Sequence, residues 1–216
     1  MIVLNLKTYH ETITKALLFT DIASEVVEES GLRVIICPPP VYLREAAERF
    51  GDVFAQHVDP DPPGAFTGSV PVDMLKAAKV KGSLLNHSEK RMAAERVGPT
   101  IESLHKHGME SLVCAATTSE AAGIANLTPT FIAVEPPELI GSGVSVSNAK
   151  PEIVMNSVKA VKEINHKITV LCGAGVSTKE DVKKALELGS EGVLLSSAFV
   201  RSPDPKGFLK DLSSVF

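Results

Sequence analysis

Three polar side chains stand where short apolar runs stop. Lys7 follows Ile2-Val3-Leu4-Asn5-Leu6, His87 follows Ser83-Leu84-Leu85-Asn86, and Glu135 follows Thr130-Phe131-Ile132-Ala133-Val134. A cation, an imidazole and a carboxylate are the groups from which acid–base chemistry on a small anion is assembled. Glu135 carries the sharpest signal, because a carboxylate at the end of a buried strand has no structural reason to be there. After it come two prolines, then Glu138-Leu139-Ile140 and the pair Gly141 and Gly143, rigid at one end and permissive at the other. That order reads as a hinged lid over a catalytic base. Two further runs end in small residues, Gly173-Ala174-Gly175 and Ser196-Ser197. Small residues let backbone N–H groups approach an anion, so both loops are phosphate-binding candidates. Gly141 is placed to add another N–H from the lid.

The elements that must hold these groups come from the apolar runs. Eight occur, at residues 2–6, 33–37, 53–56, 82–86, 111–115, 130–134, 168–172 and 192–195. They are apolar almost throughout rather than alternating, as parallel strands covered on both faces are. Helical patterns lie between them. Ile153, Val154, Ser157, Val158, Val161 and Ile164 share a helix face that Pro151 can start. Ser177 with Glu180 reads as a capping box, and Gly189 as the stop of that helix. Repeated strand–helix units without a composition break predict one α/β domain over residues 1–216, a closed (β/α)8 barrel. The chain is short for that fold, with the helical regions after strands four and five trimmed. In such barrels active sites lie at the C-terminal ends of the strands, and the loops after strands seven and eight are the usual phosphate position. Lys7, with Asn5, then shares one end with His87, Glu135 and both small-residue loops.

Each piece also has a plain structural reading. Lys7 is then the first solvated residue after a strand, His87 a capping or core histidine, Glu135 a surface turn, and Gly173 and Gly175 tight-turn residues. Their convergence on one barrel end favours a site. Other classes are excluded more directly. A formal net charge of -4 and the lack of a Lys/Arg cluster argue against nucleic acid. No apolar run is long enough to span a bilayer. Gly173-Ala174-Gly175 lacks the third glycine of a dinucleotide fingerprint, and His105 and His107 fall on different helix faces, so neither a nucleotide cofactor nor a metal is expected. Three separated cysteines, Cys37, Cys114 and Cys172, read as buried thiols in a reducing compartment, and no leader precedes the first run. A cytoplasmic location is expected.

Six fragments in order resemble the triosephosphate isomerase family in its shorter archaeal-type form: Asn5-Leu6-Lys7, Gly64-Ala65-Phe66-Thr67-Gly68, His87-Ser88-Glu89-Lys90-Arg91, Glu135-Pro136 with Ile140-Gly141-Ser142-Gly143, Cys172-Gly173-Ala174-Gly175-Val176, and Gly192-Val193-Leu194-Leu195-Ser196-Ser197. The resemblance implies a cofactor-free enzyme of glycolysis and gluconeogenesis that interconverts dihydroxyacetone phosphate and glyceraldehyde 3-phosphate. It implies Glu135 as the proton-shuttling base, His87 as the neutral electrophile and Lys7 as the cation, with Asn5 orienting substrate. Ile140, Gly141, Gly173, Gly175, Ser196 and Ser197 would bind substrate, largely through backbone groups. A helix following His87 is expected to keep its imidazole neutral. The family also implies that the proline-rich loop at residues 57–69 docks on a neighbouring subunit, in a homotetramer or alternatively a dimer. Val134 before the base and Pro137-Glu138-Leu139 after it depart from the longer family form. Two other readings stay open from the residues alone: another barrel enzyme handling phosphorylated sugars, and a non-catalytic barrel that binds a phosphate ester.

Overall fold

The computed structural model describes residues 1–136 and 146–216. Eight parallel strands form its centre: β1 (Ile2–Asn5), β2 (Val34–Cys37), β3 (Phe54–Ala55), β4 (Gly82–Leu85), β5 (Glu110–Ala115), β6 (Phe131–Val134), β7 (Thr169–Cys172) and β8 (Gly192–Leu195). They pair in the order β2-β1-β8-β7-β6-β5-β4-β3. A single parallel bridge, Ile36 to Val53, joins the two ends and brings the sheet to closure. The expected barrel is the observed fold. Its third strand is reduced to two residues, shorter than the run from which it was read.

The uniform apolar runs conceal a two-residue alternation. Val3, Ile35, Phe54, Leu84, Leu112, Phe131, Leu171 and Leu194, one from each strand, form a cluster separate from the larger core. Their strand neighbours Ile2, Leu4, Val34, Ile36, Leu85, Val113, Ile132, Val170 and Val193 belong to that larger core. Successive residues of a strand face opposite sides, so the first set fills the barrel and the second packs beneath the helices. Both sets are apolar because both faces are covered.

The surrounding helices are α1 (Thr12–Ser30), α2 (Leu43–Arg49), α3 (Val72–Ala77), α4 (Ala94–Lys106), α5 (Thr118–Ala125), α6 (Val146–Ala149), α7 (Pro151–Ile164), α8 (Lys179–Glu187), α9 (Ser197–Val200) and α10 (Pro205–Ser213). The shortening after strand five is plain in the 8-residue α5, whereas α4 runs for 13 residues with Pro99 inside its first turns. Pro151 is the first residue of α7, and Val154, Ser157 and Val161 are buried on its inner face. Gly189 follows the end of α8 with φ of 94°, a conformation open to glycine at little cost. The capping box falls one residue later than Ser177 and Glu180: the Thr178 side chain accepts from the Asp181 N–H, and Asp181 answers at the Thr178 N–H. Both registers carry a hydroxyl followed three residues later by an acid, so the pattern alone does not choose between them.

Candidate active site

Alternation along β6 points Ala133 into the barrel, Val134 outward and Glu135 inward again. The Glu135 N–H continues the ladder by donating to the Ala115 carbonyl at 2.8 Å, and the Gly173 N–H donates to the Val134 carbonyl at 3.0 Å. Glu135 is thereby fixed at the barrel mouth, where it is only 3% exposed. A glycine is required beside it, because a Cβ on Gly173 would lie 2.4 Å from Glu135 Cγ. Burial pushes the Glu135 carboxyl up to about 7, against the opposing pull of a hydrogen bond from the Cys114 thiol and the charge of Lys7. Its Oε2 has no hydrogen-bond partner among the described residues.

His87 reaches the same point from β4. The chain turns at Asn86, whose φ is 58°, and the Asn86 side chain bridges the turn. Its Oδ1 accepts from the Met92 N–H at 3.2 Å, and its Nδ2 donates to the Cys114 carbonyl at 3.1 Å and to Glu120 at 3.0 Å. His87 Nδ1 accepts the Glu89 N–H at 3.1 Å, so a neutral ring carries its proton on Nε2. That Nε2 lies 3.7 Å from Glu135 Oε2. Burial first, then the Lys7 charge, lower the imidazole to about 4. Burial and the Lys7 charge, rather than a following helix, favour the neutral ring. α4 starts only at Ala94, and a tight turn follows the histidine, with the Lys90 N–H donating to the His87 carbonyl at 2.8 Å.

Lys7 is held in a left-handed turn with φ of 48°. Its N–H donates to Asn5 Oδ1 at 3.0 Å, and its carbonyl accepts from Gln56 Nε2 at 3.0 Å. Gln56 also donates to the Cys37 carbonyl, tying the ends of β1, β2 and β3 together. The ammonium pairs with Glu89 at 2.7 Å while its side chain is 12% exposed, so Lys7 is not a solvated strand end.

Lys7, His87 and Glu135 share a cavity with residues 173–177, Ser196 and Ser197. Gly175 has a φ of 71° in the first small-residue loop. The Ser177 and Thr178 N–H groups are committed to the Asp181 carboxylate at 3.0 Å each. Ser196 precedes α9, and its Oγ is buried without a hydrogen-bond partner among the described residues. Asn5 turns to an adjoining cavity that also touches Lys7 and His87. Ile140 and Gly141, with most of the lid-like stretch, lie outside the described residues. Sequence reasoning does not assign Glu89, Gln56, Cys114 or Tyr9 to the site; of these, Glu89 stands two residues after His87 in the same fragment, and Cys114 reads only as a buried thiol.

No cluster of three or more His, Cys, Asp or Glu side chains suited to a metal occurs among the described residues. His105 bonds to Ser111 and His107 to the Ser103 carbonyl, each engaged separately. Cys37, Cys114 and Cys172 are all free and buried, and burial pushes the Cys172 thiol up to about 12.

The profile described as Triosephosphate isomerase matches residues 1–212. The triosephosphate isomerase of Methanothermus fervidus is 49% identical over 214 residues, covering 98% of this chain and 96% of that protein. Those of Methanocaldococcus jannaschii and Archaeoglobus fulgidus are each 45% identical, covering 98% of this chain and 98% and 96% of the relatives.

Proposed function

The chain belongs to the triosephosphate isomerase family, and from that premise we propose how its own residues interconvert dihydroxyacetone phosphate and glyceraldehyde 3-phosphate. Glu135 removes a proton from the carbon beside the substrate carbonyl and returns it to the neighbouring carbon. The raised affinity of the buried carboxylate for protons suits both halves of that exchange. His87 donates its Nε2–H to the carbonyl oxygen. Because the ring is neutral, it polarises that oxygen without a full charge of its own. Lys7 offsets the charge of the enediolate, and Asn5 fixes the backbone turn that aims it. Backbone groups at Gly175, Ser196 and Ser197, together with Ile140 and Gly141, hold the phosphate, while Gly173 makes room for the base.

One observation carries this reading. The two buried side-chain oxygens without a hydrogen-bond partner among the described residues, Glu135 Oε2 and Ser196 Oγ, line the same cavity. Unpaired buried polar atoms are costly, and a substrate satisfies one at the reacting carbons and the other at the phosphate. A coupled assay with glyceraldehyde 3-phosphate tests it. Wild type should turn over, and Glu135→Gln should lose about 10³-fold or more in kcat. Absent wild-type turnover, or a variant within tenfold of it, contradicts the assignment.

Self-association through residues 57–69 is part of the same proposal. Phe66 is 46% exposed at the tip of a loop braced by Asp59, which accepts from His57 and from the Val70 N–H. A pre-ordered loop loses little entropy on docking. The cavity beside Lys7, reaching Pro40, Leu43 and Gln56, is the surface proposed to receive it from a second copy. Light scattering should return the mass of a tetramer, or of a dimer in the alternative arrangement; a monomer at micromolar concentration contradicts docking. The three buried thiols support a reducing, cytoplasmic setting in glycolysis and gluconeogenesis. No helix among the described residues is long and apolar enough to cross a membrane.

A further inference from the structure

Tyr9 lines the active-site cavity with the phosphate loops, yet nothing in the proposed chemistry uses it. It is half-buried and packs against the main core. Its carbonyl accepts both the Thr12 N–H at 3.0 Å and the Thr12 hydroxyl at 2.6 Å, so the first turn of α1 fixes its backbone. The guanidinium of Arg201 sits over its ring, 4.7 Å from the centroid. Arg201 in turn ends α9, its N–H donating to the Ser197 carbonyl at 2.9 Å. One helical turn thus separates Arg201 from Ser197, about 5 Å along the axis.

Charge makes this placement informative. The substrate phosphate is a dianion, whereas the chain has a formal net charge of -4. Lys7, the ammonium inside the cavity, is already paired with Glu89 at 2.7 Å. A cation beyond that pair would add to the backbone groups in attracting the dianion. The acidic neighbour of Arg201 is Glu11, at 3.8 Å, with the Arg201 side chain 61% exposed; such a solvated pair is weak and leaves most of the positive field in place. Stacking on Tyr9 limits where that charge can go.

We propose that Tyr9 forms the phosphate-side wall of the site, a surface against which the phosphate end of the substrate rests, and that Arg201, stacked on its ring behind that wall, is a positioning residue whose charge favours the dianion. The inference rests on the isomerase reading given above. It predicts a penalty that depends on the phosphate and on salt. At low ionic strength, Arg201→Ala should raise KM for glyceraldehyde 3-phosphate and the inhibition constant of inorganic phosphate by about tenfold each. Both effects should shrink in 0.5 M salt, roughly three times the physiological ionic strength at which exposed charges are already partly screened. The loss in kcat/KM should be at least fivefold larger for the phosphorylated triose than for unphosphorylated glyceraldehyde. Arg201→Lys should recover most of it, and Tyr9→Leu should imitate Arg201→Ala while Tyr9→Phe does not. An Arg201→Ala change below twofold, or equal losses on both substrates, overturns the wall. The controls separate the two claims. Wild type without turnover overturns the isomerase reading, and the phosphate-induced rise in melting temperature, compared between wild type and Arg201→Ala, still decides whether the wall binds phosphate.

Discussion

The two ends of the barrel treat polar groups in opposite ways. At the N-terminal end Arg33 donates to Asp52 at 3.0 and 3.1 Å and to Glu110, and its guanidinium also lies over the Phe131 ring that fills the barrel. Glu191 at the same end pairs with Lys162 at 2.6 Å. At the C-terminal end Glu135 and Ser196 each carry a buried oxygen without a partner among the described residues. One end is satisfied and the other is held short of satisfaction. The contrast fits the proposed site: unpaired oxygens are left where the proposed substrate would complete them.

The largest effect on that contrast is expected from Gly173→Ala. The new Cβ would push Glu135 aside, and a displacement near 1 Å at a catalytic group costs about 10²-fold in turnover. Kinetics within fivefold of wild type would show that Glu135 is not confined there. Arg33→Ala probes the opposite end. It removes charged hydrogen bonds whose side chains are about a third exposed, so the loss of unfolding free energy, discounted for solvent, is roughly 1–2 kcal/mol. Urea titration should record that loss with kcat/KM held within twofold of wild type. A comparable fall in activity would mean that the two ends are coupled.

The strands are legible because covered parallel strands are apolar on both faces, and the candidate site because Lys7, His87 and Glu135 interrupt that pattern. What surrounds them is not. Glu89 meets Lys7 across 82 positions of sequence, and Cys114 and Gln56 meet their partners only once the strand ends converge. No local spacing encodes such contacts. The capping register slipped because Ser177 and Thr178 both fit it. The residues just after His87 form a turn rather than the expected helix, and burial with the Lys7 charge favours the neutral ring instead.

Burying the proposed base, Glu135, with its Oε2 left without a partner among the described residues, is expected to weaken the fold. Its proton affinity is raised in the folded state, to about 7 from an ordinary value of 4.5. The folded protein therefore holds that proton more tightly than the unfolded chain. Stability from this group is full below about pH 4.5 and is lost as pH rises through about 7. The shift corresponds to at most roughly 3 kcal/mol. Unfolding free energies of wild type and Glu135→Gln, measured at equal protein concentration from pH 5 to pH 8, test it directly. The inactive variant should gain about 1–3 kcal/mol over wild type at pH 8, with the gain fading toward pH 5. A variant that is less stable at pH 8, or a difference that does not change with pH, would contradict it.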